Sequence, residues 1–237
     1  MSEQVPIRSA ATVILVRDGA HGLETLLVRR AADLAFHGGS WVFPGGRIDD
    51  EDFSARGSAD VEAAARNAAV REAREEAGLV VDPDTLVPWA HWTTPPGRNR
   101  RFATWFYLAP APDGSDDIVI DGEEIQDHRW FRPPAALEAR RAGEIELPAP
   151  TFVSLLRLVD CVDMAAAIEH ARRYPYLYFT PRPVRVKGGM ISIYNGDAAF
   201  DPDPAYDGLD DPRITGPGPR HRLWMTDEED WQYERTI

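Results

Sequence analysis

Hydrophobic positions fall into short blocks whose spacing changes along the chain. "ATVILVRDG" (11–19) is apolar and β-branched, "GLETLLVRRA" (22–31) follows across a glycine turn, and "SWVFPGG" (40–46) ends on a Pro-Gly-Gly break. These blocks predict two paired strands and a third that runs into a loop. From residue 58 the period changes. "SADVEAAARNAAVREAREEAGL" (58–79) is rich in Ala, Glu and Arg, with Ser58 or Asp60 as N-cap and Gly78 as C-cap, and predicts a helix. Further strands are expected in "TLVPWAHWTTPP" (85–96), "RRFATWFYLAPAP" (100–112) and "EEIQDHRWFRP" (123–133), where aromatic and β-branched residues are bounded by Pro and Gly.

A helical pattern takes over in "AALEARRAG" (135–143), "TFVSLLRLVD" (151–160) and "DMAAAIEHARR" (163–173). The basic stretch "PRPVRVKGGMISIYNGD" (181–197) reads as a hairpin turning at Gly188 and Gly189, and a Pro/Gly/Asp-rich stretch follows it. Trp224, Trp231 and Tyr233 near the end argue against full disorder, since such rings usually contribute buried area. The expected organisation is a compact α/β domain over 1–133 with an insertion at about 47–60, a helical segment over 134–173 packed on it, and a C-terminal tail over 174–237 containing the hairpin.

The 237 residues carry a formal net charge of −13, which argues against sequence-blind binding of a nucleic acid polymer or of an anionic membrane. A small phosphorylated substrate remains compatible with that charge if divalent cations neutralise some carboxylates. No apolar run is long enough to cross a bilayer, the N-terminus lacks a signal-peptide pattern, and a cytoplasmic location is expected. The single cysteine, Cys161, excludes disulfides within the chain and is expected to be a buried, inert thiol.

The candidate chemistry lies in "REAREEAGL" (71–79). At about 100° per residue, Glu72, Glu75 and Glu76 fall within an arc of about 100° on one helix. Intrahelical pairs such as Arg71 with Glu75 contribute only about 0.2–0.5 kcal/mol each. Three carboxylates sharing a face repel one another unless a cation sits among them, and hard oxygen ligands suit Mg²⁺ or Mn²⁺.

These residues resemble the Nudix signature: Gly, five residues, Glu, seven residues, Arg-Glu, an apolar residue, any residue, Glu-Glu, any residue, Gly and an apolar residue. Arg71 to Leu79 match its second half, and Phe43 to Gly46 ("FPGG") match its start. The resemblance covers about residues 8–133 and implies a Nudix α/β/α sandwich with a mixed β-sheet, followed by the helical segment and tail. It also implies Mg²⁺ (or Mn²⁺) held by Glu72, Glu75 and Glu76, with the Gly45 carbonyl completing the shell and Arg71 orienting the carboxylates. A further acidic ligand or base is expected from the loop before a tryptophan-bearing strand, where Glu124 is preferred to Glu123. Glu75 or Glu124 would take the proton from the attacking water.

One departure stands out. Counting from Gly46 puts Asp52 where the family has its first glutamate, and the interval from there to Arg71 is about eleven residues too long. Counting back from Arg71 reaches Ala63, beside Glu62. The signature is therefore split by an insertion, and Asp52 or Glu62 only partly fills the place of that glutamate.

Upstream, Leu26, Leu27, Arg30, Ala31, Gly39 and Phe43 to Gly46 resemble the motif of the coenzyme A diphosphatase branch, with Val28 in place of its Thr and Ala35 in place of its second Arg. The implied partner is a small nucleoside diphosphate derivative, coenzyme A or acyl-coenzyme A in particular. Arg30, Arg98 and Arg101 are the candidate phosphate contacts, with exposed loop charge as the competing reading of Arg98 and Arg101. Trp92 or Phe102 could stack on a base, with core packing as the competing use. ADP-ribose or a nucleotide sugar is the alternative substrate, and a catalytically silent binding module the alternative class. Whether the helical segment and tail enlarge the pocket or form a homodimer is left open by the sequence.

Overall fold

The computed structural model describes residues 5–34, 37–54, 59–174, 176–200, 212–226 and 230–236. The chain forms two compact units: one comprises Ile7–His91 and Phe102–Leu177, and the other Met1–Pro6, Trp92–Arg101 and Tyr178–Ile237.

The larger unit contains a sheet built from β1 (Ile7–Gly19), β2 (Gly22–Arg30), β3 (Trp41–Val42), β4 (Gly45–Arg47), β5 (Val87–Thr93), β6 (Arg101–Pro110) and β7 (Ile125–Phe131). Its order runs β3-β2-β1-β6-β5, with β4 paired to β1 and β7 to β2. β1 and β2 form a hairpin in which Val16 faces Thr25 and Gly19 faces Gly22. Val13, Leu15, Leu26 and Val28 reach the core because alternate residues of a strand point to one face.

Helix α1 (Val61–Ala77) lies on this face. Its buried positions are nearly all alanines, Ala65, Ala68, Ala69, Ala73 and Ala77, so its backbone can approach the sheet closely. The Asp60 carboxylate caps the first turn by accepting from the Ala63 N–H. Ser58, the other candidate cap, lies outside the described residues. Gly78 ends the helix at φ +69°, with its own N–H on the Arg74 carbonyl and the Leu79 N–H on the Ala73 carbonyl, a left-handed cap that favours glycine.

Three further helices complete this unit: α2 (Pro133–Arg141), α3 (Ala149–Leu158) and α4 (Met164–Arg173). They are tied to the sheet by specific bonds. The Trp89 indole N–H donates to Ser154, the Arg157 guanidinium lies 3.8 Å over the Trp89 ring, and the Met164 N–H donates to Asp18. Cys161 is half-buried rather than fully buried, and that burial pushes its thiol pKa up.

A short strand β8 (Leu177–Phe179) leads into the smaller unit, where β9 (Arg182–Val186), β10 (Gly189–Ile193), β11 (His221–Thr226) and β12 (Gln232–Arg235) form an antiparallel sheet in the order β12-β11-β10-β9. The hairpin turns at Lys187–Gly188. Gly189, at φ +155°, opens β10 where a Cβ would overlap the Met225 carbonyl. Val184, Ile191, Ile193, Ala199 and Ile214, the last in the one-turn helix α5 (Pro212–Thr215), make a small core.

Beside that core, Arg222 is 1% exposed and clasps Asp197 with two hydrogen bonds of 2.8 and 2.6 Å, while its third nitrogen donates to the Ile214 carbonyl. Asp197 also accepts from the His221 and Ala199 N–H groups. Asp197→Ala would leave a buried guanidinium uncompensated, at a cost of about 3–5 kcal/mol. Thermal or denaturant unfolding should show that loss, and a stability within about 1 kcal/mol of wild type would contradict this account of the small unit.

Candidate active site

The three glutamates leave α1 at different angles to its alanine face. Glu76 follows Ala73 by three residues and lies nearest that face, Glu72 is offset by about 40°, and Glu75 by about 60° more. Exposure follows the angle: Glu76 is 4% exposed, the Glu72 side chain 12% and the Glu75 side chain 56%.

The Phe-Pro-Gly-Gly turn meets the two inner carboxylates. Phe43 is buried, and the Pro44 carbonyl accepts from the Val13 N–H at 2.9 Å. The Gly45 N–H donates to Glu76 Oε2 at 2.9 Å. β4 pairs with β1 through Gly46 opposite Ala11 and Gly45 opposite Thr12. A Cβ on Gly45 would run into the Ala11 carbonyl and Thr12, and one on Gly46 would run into the Glu72 carboxylate. Gly45 is therefore required by close packing on backbone, a side chain at Gly46 would displace the Glu72 carboxylate, and neither position has an unusual φ.

Arg71 holds the outer edge of the cluster. Its Nε and one terminal nitrogen grip Asp52 at 3.0 and 2.9 Å, the other terminal nitrogen donates to Glu72 and Glu75 at 2.9 Å each, and a further bond reaches the Arg47 carbonyl. The Asp52 hydrogen bond outweighs the opposing effect of burial and, with Glu72, keeps the guanidinium charged.

Asp52 is 3% exposed and forms the 3-10 turn Asp50–Asp52, where its carboxylate also caps the Asp49 N–H at 2.8 Å. Its contact with Arg71 is a feature that pattern counting from Gly46 approached without assigning. Glu62 does not join this cluster: its carbonyl receives the Tyr107 hydroxyl instead.

Arg30 ends β2, and Glu124 immediately precedes β7. The Arg30 guanidinium lies 3.7 Å from Glu76 Oε1 and 3.5 Å from Glu124 Oε2. Glu124 is therefore linked to the cluster through an arginine, while Glu123 is exposed and its N–H caps onto Asp121. Arg98 and Arg101 belong to the smaller unit, where Arg98 is exposed and Arg101 donates to the Thr94 carbonyl. Trp92 is 5% exposed and stacked on Phe179 at 3.8 Å, so its ring is committed to packing; Phe102 is half-buried. Ala35 lies outside the described residues.

Among the described residues, no three His, Cys, Asp or Glu side chains are already drawn together in metal-binding geometry. The donor chemistry nevertheless fits a hard divalent cation. Burial pushes Glu72 up to about 7, despite the Arg71 charge, and Glu76 up to about 8, despite the Gly45 N–H and Arg30. Two neighbouring carboxyls that are this short of positive charge gain from an added cation.

The fold and site are those of an α/β sandwich whose acidic helix is seated on a glycine turn. The NUDIX domain family matches residues 6–149, and the chain belongs to the Nudix family. Over 143 residues it is 31% identical to the acyl-coenzyme A diphosphatase NUDT19 of Gallus gallus, covering 55% of this chain and 36% of that protein. It is 27% identical over 231 residues to the putative nudix hydrolase 7 of Caenorhabditis elegans, covering 81% of this chain and 74% of the other. The peroxisomal coenzyme A diphosphatase ndx-8 of the same organism is 39% identical over 75 residues, 32% of this chain and 28% of that protein. The chain thus spans only about a third of the chicken relative. Among solved structures, a NUDIX hydrolase from Alicyclobacillus acidocaldarius aligns with a TM-score of 0.60 at 25% identity, over 70% of this chain and 96% of the other. No helix among the described residues is long and apolar enough to cross a membrane.

The raised carboxyl pKa values set a pH dependence. Without metal, the fold retains protons on Glu72 and Glu76 that the unfolded chain releases near 4.5, so their stabilising contribution is lost as pH rises through about 7 and 8. In the presence of a chelator the thermal midpoint should fall between pH of about 5.5 and about 8.5, less steeply in Glu76→Gln, and Mg²⁺ should restore more at the upper end. A flat profile shared by wild type and Glu76→Gln would contradict it.

Proposed function

We propose that the protein is a Mg²⁺- or Mn²⁺-dependent hydrolase that cleaves the pyrophosphate bond of a nucleoside diphosphate linked to another moiety. The observation that carries this reading is the seating of Glu76 and Glu72 against Gly45 and Gly46. That contact brings two desolvated carboxylates to one backbone turn and supports Glu72, Glu75 and Glu76, with the Gly45 carbonyl and Glu124, as the groups that would hold the ion. Once bound, the ion supplies charge neutralisation at the phosphates and a more acidic water.

The remaining work falls to the chain itself. Arg71, anchored on Asp52, fixes the directions of Glu72 and Glu75, and a fixed direction avoids reorganisation during reaction. Glu75 and Glu124 are the exposed carboxylates of the set and can each reach water, which makes them the candidate bases. An open groove lined by Asn67, Val70, Arg71, Arg74, Glu75 and Val80 lies beside the cluster. Arg30 remains the proposed phosphate contact of the larger unit.

Coenzyme A or acyl-coenzyme A is the proposed substrate class. It is supported by the Leu26, Leu27, Arg30, Ala31, Gly39 and Phe43–Gly46 pattern and by the relatives that bear coenzyme A diphosphatase names. A cytoplasmic location completes the proposal.

The test is product analysis after incubation with coenzyme A, an acyl-coenzyme A, ADP-ribose and a nucleotide sugar, each with Mg²⁺, with Mn²⁺ and with chelator. Metal-dependent release of a nucleotide and a phosphorylated fragment from coenzyme A is expected. Turnover of ADP-ribose alone would shift the substrate class, and binding without turnover of any compound would favour a regulatory module. Glu76→Gln should keep the metal-free thermal midpoint at a pH of about 5.5, where the native carboxyl still holds its proton, and lower kcat by about two orders of magnitude or more. Full activity in that variant would refute the site.

A further inference from the structure

Two arginines face the acidic cluster, and they are held very differently. Arg71 makes five hydrogen bonds to Asp52, Glu72, Glu75 and the Arg47 carbonyl. Arg30 is loosely engaged. Its terminal nitrogens stand 3.7 Å from Glu76 and 3.5 Å from Glu124, beyond the roughly 2.7–2.9 Å of a charge-assisted hydrogen bond. Its Nε is buried and has no hydrogen-bond partner.

The backbone beneath this side chain is nevertheless firmly fixed. The Arg30 N–H donates to the Ser40 carbonyl at 3.1 Å, its carbonyl accepts from Gly39 at 3.0 Å, and the following N–H, of Ala31, donates to the Glu124 carbonyl at 2.8 Å. Between Arg29, opposite Asp127, and Arg30, opposite Ile125, the pairing of β2 with β7 slips by one residue. The extra residue, Gln126, lies on β7, and bulges of this kind bend the strand that carries them and are common beside active sites. The Arg30 guanidinium stands between two carboxylates, held by charge alone, with donors left over.

We infer that Arg30 is the exchangeable counter-cation of the site. In the metal-free protein it is the cation beside Glu76 and Glu124. A divalent ion entering among those carboxylates takes over the charge and frees the guanidinium, with its unused donors, for a substrate phosphate. This inference rests on the proposed metal site and adds a coupling to it. Metal would strengthen the grip of Arg30 on phosphate, and phosphate, by drawing Arg30 away, would strengthen metal binding to the same degree.

The experiment is titration of the full chain with Mn²⁺ alone, followed by calorimetry or by the spectrum of free Mn²⁺, at a pH of about 8.5 where protons compete little. Removing a positive charge from beside the ligands should tighten Mn²⁺ binding by about 3- to 10-fold in Arg30→Gln. Arg30→Met, which keeps an aliphatic stem in place, should behave alike, and Arg30→Lys, which keeps the charge, should stay near wild type. A merely structural arginine, or one that touches only substrate, would give unchanged or weaker binding in Arg30→Gln and Arg30→Met, and that result overturns the inference. Glu76→Gln separates the two levels: if it abolishes Mn²⁺ binding while Arg30→Gln fails to tighten it, only the exchange falls. If Glu76→Gln binds Mn²⁺ as wild type does, the metal site and the exchange fall together.

Discussion

The closeness of α1 to the Gly45–Gly46 turn is the constraint on which everything else depends. A helix faced with leucines would stand further from the sheet, and a turn bearing side chains would push the glutamates away. Alanine at 65, 69, 73 and 77 and glycine at 45 and 46 remove both obstacles, so that a carboxylate on a helix can accept a hydrogen bond from a strand. Fold and site are set by one contact. The same small residues that pack the core also carry Glu76 out of water, and its desolvation creates the demand for positive charge.

That demand is met in layers. Asp52 and Arg71 form a well-bonded outer brace, in which the single turn that carries Asp52, shortly before α1 in sequence, packs back against the middle of that helix. Arg30 provides a weaker inner balance from the end of β2. A network that binds one arginine tightly and the other loosely combines rigidity where direction matters with freedom where charge must move.

Much of this was legible along the chain. The helix from Asp60 to Gly78, the three glutamates and the glycine turn all follow from local rules: capping, a 100° repeat and backbone close approach. The roles of Asp52 and Arg30 were not legible to the same depth, because each depends on a pairing across the fold. The insertion hid the register that brings Asp52 to Arg71, and Arg30 comes beside Glu124 only through the pairing of β2 with β7. The four-stranded sheet of the smaller unit was legible only as one hairpin. Its outer strands are short, and a buried Arg222 breaks the apolar alternation that would have marked β11. Trp92 is packed, the use that competed with base stacking, but no local pattern reveals that its stacking partner lies 87 residues away.

The smaller unit is discontinuous: residues 92–101 belong with the segment that begins at Tyr178. Trp92 lies flat on Phe179 there, and its other neighbour, Tyr194, comes from the same late segment. The C-terminal quarter of the chain is therefore not a detachable appendage. Shortening the gene after α4 would bare an indole halfway along the polypeptide, so a shortened product is a different molecule and not the same catalyst minus an ornament.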